Sequence, residues 1–180
     1  MKLTETRLKG LYILEARAFH DPRGYFFEGY NRNLLKENGL DIEIAQTNIS
    51  KSQANVVRGL HFQNPPFEQG KLIRVLSGAV LDVVVDIRKD SPTYGEHLAI
   101  ELSEENFKAL WVPPGFAHGF KTLKNNTLFY YDCTQVYNKE SEGSVLWNDA
   151  DLNIDWDIAN PILSEKDENA PKFKNFQSKF

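Results

Sequence analysis

Lys71-Leu-Ile-Arg-Val-Leu-Ser-Gly-Ala-Val-Leu-Asp-Val-Val-Val-Asp86 is built almost wholly of strand-forming residues and is interrupted only at Ser77-Gly78. Two apolar runs around a Ser-Gly pair have the spacing of a β-hairpin with a two-residue turn. If Leu76 faces Ala79, then Ile73 faces Asp82 and Lys71 faces Val84, which makes Lys71 and Asp82 diagonal neighbours on one face. A slip of one residue puts them on opposite faces. The longest aliphatic run, Ala79 to Val85, is broken by Asp82 and is too short to span a bilayer.

Immediately upstream, Arg58-Gly-Leu-His-Phe-Gln-Asn-Pro-Pro-Phe-Glu-Gln-Gly-Lys71 sets Arg58, His61 and Lys71 among apolar residues, glycines and a Pro-Pro turn. Gly59 and Gly70 mark places where a strand bulges or lets a ligand come close. Further out, short extended segments recur. Leu11 to Phe19 reads as one or two strands, and Asp21-Pro-Arg-Gly24 as a turn. Tyr25-Phe26-Phe27 resumes extended chain. Asn31 to Asn38 reads as a short helix stopped by Asn38-Gly39. Asp41 to Ile49 is strand-like, with Ile42 and Ile44 buried. Arg88 to Gly95 is a polar turn, and His97 to Leu102 a strand.

Ser103-Glu-Glu-Asn is a helix start by composition. Phe116 to Leu123 is a strand with Phe116, His118, Phe120 and Thr122 on one face, and Leu128 to Val136 is another. Ser164-Glu-Lys-Asp opens a helix, and Lys172 to Phe180 reads as a frayed tail. Many short strands separated by Gly and Pro indicate an all-β chain, a jelly-roll sandwich or barrel with a few short peripheral helices, in one domain over residues 1–180.

Composition narrows the class. Hydrophobic residues make up 41% and charged residues 26%, an ordinary soluble balance. A net charge of −4 argues against a general nucleic-acid partner. One cysteine, Cys133, forms no internal disulfide, and the first residues carry no apolar leader. The expectation is a cytoplasmic protein with no membrane partner.

Chemistry concentrates in a few polar groups. Pro113-Pro-Gly-Phe-Ala-His118 follows the P-x-G-x-x-H pattern of cupin jelly rolls, where the histidine serves as a metal ligand. The earlier segment His61-Phe-Gln63 lacks the second histidine of such sites, leaving Gln63 or Glu68 as substitutes, so no metal is expected. The same groups suit proton abstraction next to a carbonyl. A histidine accepts and returns the proton, a lysine or second histidine stabilises the enolate, and a tyrosine on the opposite face donates. His61, His118, Lys71, Tyr130, Tyr131, Tyr137, Asp82 and Asp86 are all available, and physics alone does not choose among them.

Asp21 to Glu28, Gln46-Thr-Asn48, Arg58 to Gln63, Gln69-Gly-Lys71, Asp82 to Arg88, Pro114 to Phe120, Tyr131 to Tyr137 and Leu146-Trp-Asn-Asp149 occur in an order that closely resembles the dTDP-4-dehydrorhamnose 3,5-epimerase family. The resemblance implies a cupin-type homodimer without a cofactor. It implies a dTDP-4-keto-6-deoxy sugar substrate, dTDP-4-dehydro-6-deoxyglucose, inverted at C3 and C5. By the same resemblance His61 is the base, Tyr131 the acid, and Asp167 the carboxylate that orients the base. Lys71 and His118 lie near the 4-keto oxygen. Arg23, Glu28, Gln46, Asn48, Arg58, Tyr137, Glu142 and Lys166 fall at substrate-contacting positions, Arg23 and Glu28 across the dimer.

Blander readings stand beside these. Asp167 also completes a capping box with Ser164. Tyr131 and Tyr137 suit core aromatics, and Arg23 with Glu28 a surface pair. Alternative activities are a single-site epimerase or isomerase of a related ketosugar and a metal-dependent cupin oxygenase. Two positions depart from the family pattern: Thr47 stands where Asp is common, and Asp132 where Lys is frequent.

Overall fold

The computed structural model describes residues 1–180. The strands, in chain order, are β1 (Lys2–Glu5), β2 (Tyr12–Glu15), β3 (Phe19–Asp21), β4 (Gly24–Phe26), β5 (Gln46–Ser52), β6 (Val57–Gln63) and β7 (Lys71–Ser77). They continue as β8 (Ala79–Asp86), β9 (His97–Ser103), β10 (Lys108–Val112), β11 (Phe116–Thr122), β12 (Thr127–Cys133) and β13 (Glu142–Ser144). Helix α1 (Arg32–Glu37) lies between β4 and β5, and α2 (Glu165–Glu168) follows β13. No helix is long and apolar enough to cross a membrane.

A six-stranded sheet has the order β1-β2-β10-β7-β12-β5, and a five-stranded sheet the order β13-β6-β11-β8-β9; β3 and β4 form a separate hairpin. The two large sheets stay open, so the architecture is a cupin-type sandwich rather than a closed barrel. Alternation along the strands sends one side of each sheet inward. Ile73, Val75, Leu110 and Phe129 from the first sheet meet Val80, Val84, Phe116 and Phe120 from the second in a shared core. The outer face of the five-stranded sheet is covered by Trp147, Leu152, Trp156 and the C-terminal segment. Part of the other outer face is covered by Leu35 and Ile42.

The Lys71–Asp86 hairpin does not form. β7 pairs with β10 and β12, whereas β8 pairs with β11 and β9. Gly78, at φ +85°, carries the chain from one sheet to the other. Lys71 and Asp82 therefore come from facing sheets, not from neighbouring strands. Both strands are buried on both faces, so their apolar runs carry no sign of which partner each takes.

Other expectations divide. Helix α1 occupies the expected place, with Asn31 Oδ1 accepting from Leu34 N. The turn at Pro22-Arg23 closes the β3–β4 hairpin. The helix at Ser103 is absent. Asn106 Oδ1 accepts from Ser103 N and Lys108 N, and Phe107 sits at φ +51°, so the segment turns at once into β10. Residues 41–45 are irregular and Ile44 is exposed, because β5 begins only at Gln46. The tail is not frayed: Phe176 and Phe180 lie edge-on to Phe62, and Ser178 Oγ donates to Ile87 O.

Candidate active site

The site grows from one irregularity in β6. Arg58 and His61 are three positions apart, a spacing that regular alternation assigns to opposite faces. Between His118 and Phe120 the β11–β6 register shifts, pairing His118 with His61 but Phe120 with Arg58. This bulge lets Arg58 and His61 line the same hollow. Gly59 supplies the geometry. It sits at φ +127°, and a Cβ there meets Gly119 Cα at 2.5 Å. Gly70 serves packing instead, because its open side faces the Trp111 ring.

Two adjoining hollows lie between the sheets. The outer one, about 360 Å³, is lined by Gln46, Asn48, His61, Gln69, Lys71, Tyr131, Tyr137 and Glu142. The inner one, about 220 Å³, is lined by Ser50, Arg58, His61, Lys71, His118, Phe120, Phe129, Tyr131, Ser164 and Asp167. His61, Lys71 and Tyr131 line both.

His61 and His118 face each other across β6 and β11, and each gives its Nε2 to a carboxylate. His61 Nε2 lies 2.5 Å from Asp167 Oδ1, and His118 Nε2 lies 2.9 Å from Asp82 Oδ2. An ionised Asp167 only accepts, so His61 Nε2 carries the hydrogen in that pair. Asp167 is also part of a cap. Ser164 Oγ accepts from Asp167 N at 3.2 Å and donates to Asp167 Oδ2 at 2.9 Å. The two readings of Asp167 therefore hold together, since the cap fixes the carboxylate against the imidazole. Burial works against its ionised form, but the hydrogen bonds and charges of His61, Ser164 and Lys166 hold Asp167 below the usual carboxylate range.

Burial pushes the Lys71 amine down, opposed by the charges of Cys133, Asp82 and Glu142. Burial also raises the Tyr131 phenol, so it keeps its proton well into the alkaline range. At the mouth, Lys166 Nζ lies 2.5 Å from Glu142 Oε1, and Tyr137 OH donates to Glu142 Oε2 at 3.3 Å. Gln46 Oε1 accepts from Tyr137 N, and Gln46 Nε2 donates to Asn48 Oδ1. Arg58 donates twice to Ser52 Oγ at 3.2 Å.

Two expected site residues lie elsewhere. Arg23 is exposed on the β3–β4 hairpin and pairs with Asp21 rather than Glu28. Glu28 accepts from Asn31 Nδ2. Neither lines either hollow. Gln63, weighed as a metal ligand, spends its amide on Phe67 O, Val136 O and Asn138 N. Thr47 and Asp132, the two departures, touch each other: Thr47 Oγ1 donates to Asp132 Oδ1 at 2.6 Å on the sheet's outer face.

Sequence reasoning missed Ser50, whose place in phase with Asn48 on β5 was the available signal. Asp82, one of several available groups in the sequence, is the carboxylate that His118 Nε2 meets.

A model of the family described as dTDP-4-dehydrorhamnose 3,5-epimerase matches residues 5–175. The Salmonella typhimurium dTDP-4-dehydrorhamnose 3,5-epimerase is 48% identical over 173 residues, covering 95% of this chain and 94% of that one. The crystal structure of the enzyme of that name from Elizabethkingia anophelis superposes with a TM-score of 0.91 at 51% identity, covering 97% of each chain. A Legionella pneumophila dTDP-6-deoxy-D-glucose-3,5-epimerase, solved with dTDP-4-keto-L-rhamnose, superposes with a TM-score of 0.93 at 40% identity, covering 98% of this chain and 94% of that one.

Proposed function

This chain belongs to the dTDP-4-dehydrorhamnose 3,5-epimerase family, and from that membership we propose the reaction its cavity carries out. The chain is an isomerase that inverts C3 and C5 of dTDP-4-dehydro-6-deoxy-D-glucose to give dTDP-4-dehydro-L-rhamnose. One observation carries the reading: His61 and Tyr131 line the same cavity with Lys71, while a buried carboxylate stands against the imidazole.

Hydrogen on carbon beside a ketone is acidic only if the oxygen's developing charge is met. His61 removes the proton, and Asp167 stabilises the imidazolium that results. The electron pair moves onto the 4-keto oxygen, where Lys71 donates and His118 lies nearby. Tyr131 returns a proton to the other face of the carbon, which inverts it. Gln46, Asn48, Arg58, Tyr137, Glu142 and Lys166 hold the nucleotide and sugar. Arg23 and Glu28 reach the substrate from the partner of a homodimer, in keeping with their distance from the cavity of their own chain. No cofactor takes part. The protein acts in the cytoplasm as one domain, without nucleic-acid or membrane partners.

The test is solvent exchange. Incubated with the 4-keto sugar nucleotide in D2O, the protein should place deuterium at both C3 and C5. Deuterium at one carbon selects a single-site epimerase, and none at either carbon ends the reading.

A further inference from the structure

We propose that Ser50 is a specificity-determining contact for the substrate, its hydroxyl held in reserve for a hydroxyl of the sugar ring. The inference rests on the epimerase reading, which puts that ring in the inner hollow beside His61 and Tyr131.

Side chains on β5 alternate between exposed and inward, and Gln46, Asn48, Ser50 and Ser52 form the inward row. Three of the four have partners in the fold. Gln46 accepts from Tyr137 N and donates to Asn48 Oδ1. Asn48 Nδ2 in turn reaches Cys133 Sγ at 3.7 Å. Ser52 Oγ accepts twice from Arg58 at 3.2 Å. Only Ser50 Oγ in this row is shielded from water with no hydrogen-bond partner. Its cross-strand neighbour is Phe129, whose side chain offers no polar atom. A hydroxyl left in that state costs stability that an alanine does not.

The surroundings of that hydroxyl point to its partner. Ser50 lines the inner hollow together with Arg58, His61, Lys71, His118 and Tyr131. The pairs Ser50–Phe129 and Asn48–Tyr131 make Ser50 and Tyr131 diagonal neighbours on one face of the sheet. Ser50 therefore stands on the wall that carries the proposed acid, facing the sheet that carries His61. Its side chain has one torsion, and turning it moves Oγ between staggered wells at little cost. A phosphate oxygen only accepts, and it suits Arg58, which only donates. A ring hydroxyl both donates and accepts, and a serine hydroxyl matches it in both roles.

Ser50→Ala removes the hydroxyl and leaves the rest of the wall. Tm should hold or rise, because the free protein loses no bond. Calorimetry should show affinity for dTDP-glucose, which has the ring hydroxyls but no ketone to react, falling about three- to tenfold. Affinity for dTDP, which lacks the ring, should not change. On the 4-keto sugar nucleotide kcat/KM should fall along with the dTDP-glucose affinity. Unchanged affinity for both ligands makes Ser50 a packing residue and overturns the proposal. An equal loss for both places the contact on the nucleotide and overturns it too. A clear fall in Tm, or failure to fold, shows that the hydroxyl already has a partner in the free protein and does the same. Binding is read without turnover, so absence of deuterium exchange, which ends the epimerase reading, is a separate result.

Discussion

The setting of His61, the proposed base, depends on Asp167, a residue far away in sequence that answers two demands at once. Its backbone N–H closes the first turn of α2 on Ser164, and its side chain receives His61. The substitution Asp167→Asn separates them. The backbone bond to Ser164 survives, so stability should change by less than about 1 kcal/mol. The charge behind His61 is lost, so kcat should fall by roughly 10²–10⁴. Ser164→Ala does the reverse, costing about 1 kcal/mol as a lost cap with a smaller loss of rate. Urea unfolding and initial rates on the same samples check both. Were Asp167→Asn to lower stability while the rate per folded molecule held, the carboxylate would be a cap and nothing more.

At the level of elements, the bulge in β6 decides whether a site exists. Gly59→Ala forces a side chain into left-handed backbone and against Gly119. We expect a loss of about 2–4 kcal/mol in stability. Activity per folded molecule should fall as well, because relief of the clash straightens β6 and turns Arg58 or His61 away. Calorimetry with single-turnover rates measures both, and unchanged activity in a folded Gly59→Ala protein counts against the bulge as the device that aligns the two.

Local signals of this kind were readable in the chain. Glycines beside polar residues marked the bulge, Asn31 and Asn38 bounded α1, and alternation put Phe116, His118 and Phe120 on one face. Pairing between strands was not readable. β7 and β8 are apolar on both sides, so Ser77-Gly78 fits a hairpin and a sheet crossing equally well. Only the crossing puts Lys71 and Asp82 in different sheets. Ser103-Glu-Glu-Asn has the composition of a helix start, but Asn106 satisfies the local backbone groups first. The roles of His61, Tyr131 and Asp167 came from family likeness, since titratable groups of the same types were scattered over several strands.

The whole molecule leaves one face uncovered. On the outside of the six-stranded sheet Ile49 is 63% exposed and Leu76 43%, and the β3–β4 hairpin adds Phe26 at 70%. Arg74, buried among Phe27, Tyr130 and Asp132, lies within that face. A patch of this kind fits a second copy of the chain. The same hairpin carries Arg23, which lines neither hollow of its own chain. If Arg23 serves the partner's cavity, two inactive proteins should repair each other. Arg23→Ala keeps His61 but lacks the reaching arginine, whereas His61→Ala keeps the arginine but lacks the base. In a mixed dimer one cavity has both defects and the other has neither. Co-expression in equal amounts should make half the dimers mixed, with one sound cavity in two, so about a quarter of wild-type activity returns. Activity no higher than the sum of the two parents places Arg23 outside the partner's site, and a monomer by sedimentation removes the dimer itself.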